Sequence, residues 1–218
     1  DAGQVVNVVP DYSRIWVRVR DITREGLVPV YDQVKKMAGG AAIMANVDHN
    51  VSLISGIHDL LPNRTGGAAM QKNLENLGDI IYTQEEIDFA IQMQKENGKP
   101  IIGIDGKIRP LRETLESPGG GSTDVGDVSY NVPVVSLAAT TAPKGVPWHS
   151  WSVVASSGMS IGHKGMLHAT KALGMTMIDI FKDKKLREEI KKEFDERKGD
   201  YVYDPFLNPG PPPLDYED

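Results

Sequence analysis

Apolar and polar residues alternate without interruption from Ser13 to Arg20, which sets Ile15, Val17 and Val19 on one side of an extended chain and Trp16, Arg18 and Arg20 on the other. The pattern predicts a β-strand with one polar face. Gln4 to Val9 reads as a shorter strand before it. Residues 45 to 57 alternate again, with Val47, His49, Val51 and Leu53 on one side. Between the two alternating stretches, Pro29 is costly inside a helix, so a regular helix is expected from Val28 to Met37, ending near Gly39 and Gly40.

Further along, helical spacing takes over. Asn63 to Leu77 is stopped by Gly78, and Gln84 to Glu96 is capped by Thr83 and stopped by Gly98. Ile101 to Ile104 is a short apolar piece, and Val132 to Ala138 is an apolar run bounded by turn residues, which suits a strand covered on both faces. Ser160 to Lys182 reads as a helix despite Gly174, and Asp183 to Lys198 carries Leu186, Ile190 and Phe194 four residues apart, a packing stripe. From Tyr201 onward, Asn208-Pro-Gly-Pro-Pro-Pro213 and the acidic residues after it read as an extended tail. No internal repeat is visible. The local order at the start of the chain is strand, strand, helix, strand.

Composition narrows the function. The 218 residues are 40% hydrophobic, enough for a core, and the formal charge of −6 offers no basic surface for nucleic acid or an anionic membrane. No apolar run approaches the roughly 18 residues that cross a bilayer. With no cysteine there is no disulfide framework, thiolate metal site or cysteine nucleophile, which fits a reducing, cytoplasmic setting. Because the chain begins at Asp1 without an initiator methionine, it reads as a fragment.

Two segments carry the chemistry: Gly119 to Ser129, rich in glycine with Asp124 and Asp127, and Gly145-Val-Pro-Trp-His-Ser-Trp151, in which Pro147 and Trp148 frame His149. A neutral imidazole suits zinc or manganese. The glycine loop lacks the Lys-Ser/Thr ending of a phosphate-binding loop, and its carboxylates would repel phosphate, so a nucleotide is rejected. His163 and His168 are five residues apart, which on a helix diverges by roughly 140°, so they form no shared metal pair. Structural roles suit these two, and blander ones His49 and His58.

These segments, with Asn7-Val-Val-Pro-Asp11 leading to Arg20, Leu60-Leu-Pro-Asn-Arg64, and Ser160-Ile-Gly-His-Lys-Gly-Met-Leu-His168, resemble the aminoacylase and carboxypeptidase family of metal-dependent amidohydrolases, the zinc peptidases. The resemblance runs to about Gly199 and corresponds to the C-terminal half of such an enzyme. It implies that residues 1–58 are the second part of a ferredoxin-like lid and dimerisation domain. Residues 59–199 would be the C-terminal part of the α/β catalytic domain, and 200–218 an extended tail. It further implies two zinc or manganese ions in the complete enzyme, with His149 a ligand, Asn7 and Arg20 holding a substrate carboxylate, and the general base upstream of this chain. The substrates implied are N-acyl or N-aroyl amino acids, an aminobenzoyl-glutamate-type amide first among them, or small peptides. The partners implied are a homodimer mate through the lid and a possible second subunit.

Other readings stand beside these. Arg18 and Arg20 also fit the solvated face of an edge strand. Ser122, Thr123, Asp124 and Asp127 either orient a ligand or substrate from just behind it or stabilise a turn. The chain could equally be a noncatalytic lid and dimerisation module, a subunit completed by another chain, or a solute-binding scaffold.

Overall fold

The computed structural model describes residues 3, 5–112, 121–207 and 209–211. Seven helices are formed among them and no strand: α1 (Arg24–Ala45), α2 (Arg64–Leu77), α3 (Gln84–Glu96), α4 (Val125–Ser129), α5 (Trp151–Ser157), α6 (Ser160–Lys182) and α7 (Lys184–Lys198). The expected α/β architecture, a ferredoxin-like lid piece followed by a zinc-exopeptidase-like catalytic piece, is therefore overturned for the described residues. The physical reason is that alternation only sorts side chains along an extended backbone, while a strand also needs a neighbour to take its N–H and C=O groups. Residues 13–20 form no ladder, and Ile15 and Trp16, on opposite sides of the alternation, are each 85% exposed. Residues 47–57 and 133–138 likewise form no ladder, and Val132 lies in a bend.

The chain divides into two compact units. The first comprises residues 1–59, 118–127 and 204–218; the second comprises 60–117 and 128–203. In the first, Thr23 caps α1 by accepting the Gly26 N–H. The helix begins before Val28, tolerates Pro29, and continues through Gly39 and Gly40 to Asn46, whose left-handed backbone (φ 55°) ends it. The expected stop at the glycine pair is thus wrong: glycine permits a helix end but does not compel one. Ala42 is the buried residue of α1. Phe206 packs edge-on against Tyr31, with ring centroids 5.8 Å apart, and lies 4.0 Å below the Arg24 guanidinium.

In the second unit, α6 packs against α2, α5 and α7, and α2 also packs against α7. Its core includes Met70, Ala90, Met93, Ile161, Ala172, Ile190 and Phe194. At Gly165 a β-carbon would stand 2.2 Å from the Thr140 carbonyl oxygen, so only glycine admits this approach of α6 to the 140 segment.

Buried polar side chains bind the helices to one another. Asn63 accepts the Gly66 N–H at the start of α2 and donates to the Ile190 carbonyl of α7. Asn73 on α2 donates to Thr176 and Asp179 on α6. Fully buried Gln94 donates to the Gly103 and Lys144 carbonyls and accepts from the Ile102 and Gly103 N–H groups, which meets all of its hydrogen-bonding needs.

Candidate functional site

Of the sequence-derived candidates, the glycine-loop residues are those drawn into a defined local structure, in the first unit. Gly119 and Gly120 lie outside the described residues, and Gly121, Ser122, Thr123 and Asp124 are exposed. Thr123 accepts the Val125 N–H through its hydroxyl, at 3.3 Å, and the Gly126 N–H through its carbonyl; the Asp127 N–H bonds to the Asp124 carbonyl at 3.0 Å. This winding starts the short helix α4 and turns the Asp127 carboxylate back onto the chain, where Oδ2 accepts the His58 N–H at 3.2 Å. A β-carbon at Gly126 would sit 2.0 Å from the His58 carbonyl oxygen, so the loop needs glycine there to lie flat on residues 58 and 59.

His58 itself is 5% exposed, with Nδ1 2.8 Å from Asp59 Oδ1. The same Asp59 oxygen accepts the Arg24 N–H at 3.1 Å, a carboxylate at the positive end of α1. Arg24 donates Nη2 to the Asp204 carbonyl at 3.3 Å. The 58–59 backbone is thus tied to α1 on one side and to the glycine loop on the other. Sequence reasoning passed over His58 and Asp59 because their partners are 35 and 69 residues away. The adjoining Leu60-Leu-Pro-Asn-Arg64 motif is the one local signal that pointed near them.

Asn7 and Arg20 also belong to the first unit, and both are exposed. Asn7 sits in a turn closed by the Val8 N–H bonding to the Val5 carbonyl, and Arg20 ends the 13–20 segment.

His149 belongs to the second unit, on an exposed loop before α5. Its φ of 61° is in the left-handed region, a backbone state that costs a non-glycine residue on the order of 1 kcal/mol and that the surrounding turn must impose. Ser150 donates its hydroxyl to the Pro147 carbonyl at 2.6 Å, and Val146 anchors the loop by burial. The framing residue Trp148 is itself exposed, so the loop presents the imidazole outward.

The remaining histidine in a specific contact is His168, whose Nε2–H donates to the Gly78 carbonyl at the C-terminus of α2, at 2.8 Å. Glu86, 4% exposed, completes a capping box with Thr83 at the start of α3 and receives Lys164 of α6 at 2.6 Å. Burial alone would raise its pKa; the bonds from Lys164, Ser160 and Thr83 win and hold it down at about 2. Tyr82 beside it is pushed up to about 12, by burial and then by the Glu86 and Asp105 charges. These groups lock α3 to α6.

A catalytic zinc is held by three convergent ligands from the protein, with a water in the fourth position. Among the described residues no group of three histidine, aspartate or glutamate side chains is placed to hold one. His149 can offer a single imidazole, so a complete metal centre does not fit within these residues, and no reaction step is drawn through one.

No protein-family model matches the chain, and no solved structure does. Among curated proteins it is similar to a subunit of the p-aminobenzoyl-glutamate hydrolase of Escherichia coli (strain K12), with 32% identity over 211 residues. The match takes in 86% of this chain and 44% of that protein, so the chain spans less than half the length of its relative. The resemblance carried by the motifs is thereby supported: this chain is a relative of the amidohydrolases, similar over most of its length to part of a p-aminobenzoyl-glutamate hydrolase subunit.

Proposed function

We propose that the chain is part of an enzyme that hydrolyses the amide bond of N-acyl or N-aroyl amino acids, with p-aminobenzoyl-glutamate the first substrate to test. The observation that carries this reading is the 32% identity to the E. coli hydrolase subunit over 86% of the chain. In it, Arg20 grips the substrate carboxylate in bidentate fashion and Asn7 adds a neutral amide donor. His149 contributes one imidazole to a zinc or manganese centre whose other ligands, with the general base, come from residues outside this chain. Ser122, Thr123, Asp124 and Asp127 shape the loop that borders the substrate. The partners in this reading are a second copy of the enzyme and, because the relative is named as one subunit of a hydrolase, a different subunit.

A second reading, a noncatalytic module that another chain completes, is favoured by the want of three convergent metal ligands among the described residues. One experiment separates them. The 218-residue chain is assayed for release of glutamate from p-aminobenzoyl-glutamate with zinc or manganese, alone and co-expressed with the portion of the E. coli protein that it does not match. Turnover only in the completed enzyme, falling about 100-fold in His149→Ala, supports the hydrolase reading. In the same reading Arg20→Lys raises KM about ten-fold with a smaller change in kcat. A completed enzyme indifferent to His149→Ala would remove that residue from the chemistry, and no turnover at all would leave the noncatalytic module standing.

A further inference from the structure

The first unit has little apolar interior of its own: of the buried apolar residues among those described, only Ala42 lies in it. Packing there falls instead to partly buried aromatics, Tyr31 and Phe206. Phe206 arrives on residues 204–207, which rejoin the first unit after residues 128–203 have run through the second. Three contacts seat its ring. The Arg24 guanidinium lies 4.0 Å from the ring centroid, the Tyr31 ring meets it edge-on, and a β-carbon at Gly56 would stand 2.6 Å from its Cδ1, so glycine is what opens the slot. Arg24 Nη2 donates to the Asp204 carbonyl, while Nη1 is buried and meets no acceptor among the described residues, which leaves the ring face as its charge partner. Beyond the ring the segment has few holds: Pro205 is exposed and has no N–H to give, and Pro209, Gly210 and Pro211 are exposed as well.

From Arg24 a run of contacts leads to the glycine loop. Its N–H donates to Asp59 Oδ1, the same oxygen lies 2.8 Å from His58 Nδ1, and the His58 N–H donates to Asp127 Oδ2. Gly126 lies flat on the His58 carbonyl beside that bond. The position of Arg24 therefore bears on residues 58 and 59, and theirs on Gly126 and Asp127. We infer that Asp204–Leu207 is a strap, and that its ring, Phe206, positions the Ser122–Asp127 loop by pinning Arg24, so that lifting the strap frees the loop. The strap has two settings, ring seated or ring out, because its hold is concentrated in one side chain. The inference concerns how the loop is held and does not require the amidohydrolase reading; where that reading holds, the strap governs the loop that borders the substrate.

The test is amide hydrogen exchange on the full 218-residue chain. It is read at Arg24, His58, Gly126 and Asp127, whose N–H groups are bonded within the first unit, and at Ala172 and Thr176 of α6 in the second. Phe206→Ala is expected to speed exchange at the four first-unit amides at least ten-fold and to leave α6 unchanged. Gly56→Ala, which pushes the ring out without altering it, is expected to do the same. Phe206→Tyr, which keeps the ring face, is expected to hold the unmodified rates, whereas Phe206→Leu, which fills the slot without a π face, is expected to follow Phe206→Ala. Circular dichroism checks that each variant keeps its helices, and Phe206→Leu carries the comparison if Phe206→Ala does not. Unmodified exchange at His58, Gly126 and Asp127 in the folded variant would overturn the proposal. So would equal acceleration in both units, which would make the ring a general prop, or a Phe206→Leu chain as slow as the unmodified one. Amide hydrolysis plays no part in this readout, so its failure and the failure of the hydrolase reading are told apart.

Discussion

Residues 13–20 and helix α7 have equally plain apolar patterns in sequence, period two in one and near four in the other, yet they fare differently. In α7 the stripe closes over: Ile190 and Phe194 are each 6% exposed. In 13–20 Ile15 stays open at 85% and Val17 at 53%, and Val19 is only partly covered. A helix satisfies its backbone within itself, so any apolar neighbour is enough to place it. A segment in no ladder leaves its backbone N–H and C=O groups without strand partners on both edges, and its side-chain pattern has no force until a neighbouring strand arrives. The lesson is that amphipathicity predicts burial only where the backbone is already settled.

The sharpest way to break this comparison is to empty the α7 stripe. Phe194→Ala is expected to cost about 3 kcal/mol in urea unfolding, because the removed ring leaves a cavity among packed helices. Next comes Asn63→Ala, which leaves the Ile190 carbonyl and the first turn of α2 without their partner; about 2 kcal/mol should be lost. Third is the Glu193 carboxylate of α7, which accepts the Arg64 and Thr65 N–H groups at the start of α2 and pairs with Arg197. Burial pushes its pKa up, and the bonds from Thr65, Arg64 and Arg197 bring it down to about 2. Its folded pKa is below the ordinary 4.5, so its contribution is whole above about pH 4.5 and fades as pH falls toward 2. Glu193→Gln should cost about 1.5 kcal/mol at pH 7 and flatten the acid limb of the stability profile. The smallest change is Ile15→Ala, expected to shift stability by less than about 0.5 kcal/mol. A loss near 2 kcal/mol there would show that the 13–20 face is covered in solution.

The helices were legible where the chain announces their ends. Asn63 before α2, Thr83 with Glu86 at α3 and Asp183 before α7 are capping residues whose side chains take the first free N–H groups, and each helix starts where its cap stands. Gly39 and Gly40 misled, since the chain rotates onward through both and stops only at Asn46. Helices α4 and α5 are too short for a period to show. The strands failed because pairing is a property of two segments and each was judged alone.

In the candidate site, the turn from Thr123 to Asp127 is held by local bonds of the kind that spacing can suggest, while the Asp127 carboxylate reaches His58, 69 residues away. His58, Asp59 and Arg24 were not legible, since those residues are joined by the fold across stretches that sequence spacing does not encode. The left-handed backbone of His149 carries no sequence signal at all, because nothing in Pro147-Trp148-His149 demands it.

Helix α1 has a consequence for chemical kinetics. Pro29 has no amide proton, and the Gly39–Gly40 pair sits where propensity for the helix is lowest. Deuterium uptake along these 22 residues should therefore be uneven: amides around the glycine pair should exchange ahead of those between Tyr31 and Lys36. A limiting protease would find its first foothold at the same pair, cutting one helix into two peptides of nearly fixed length.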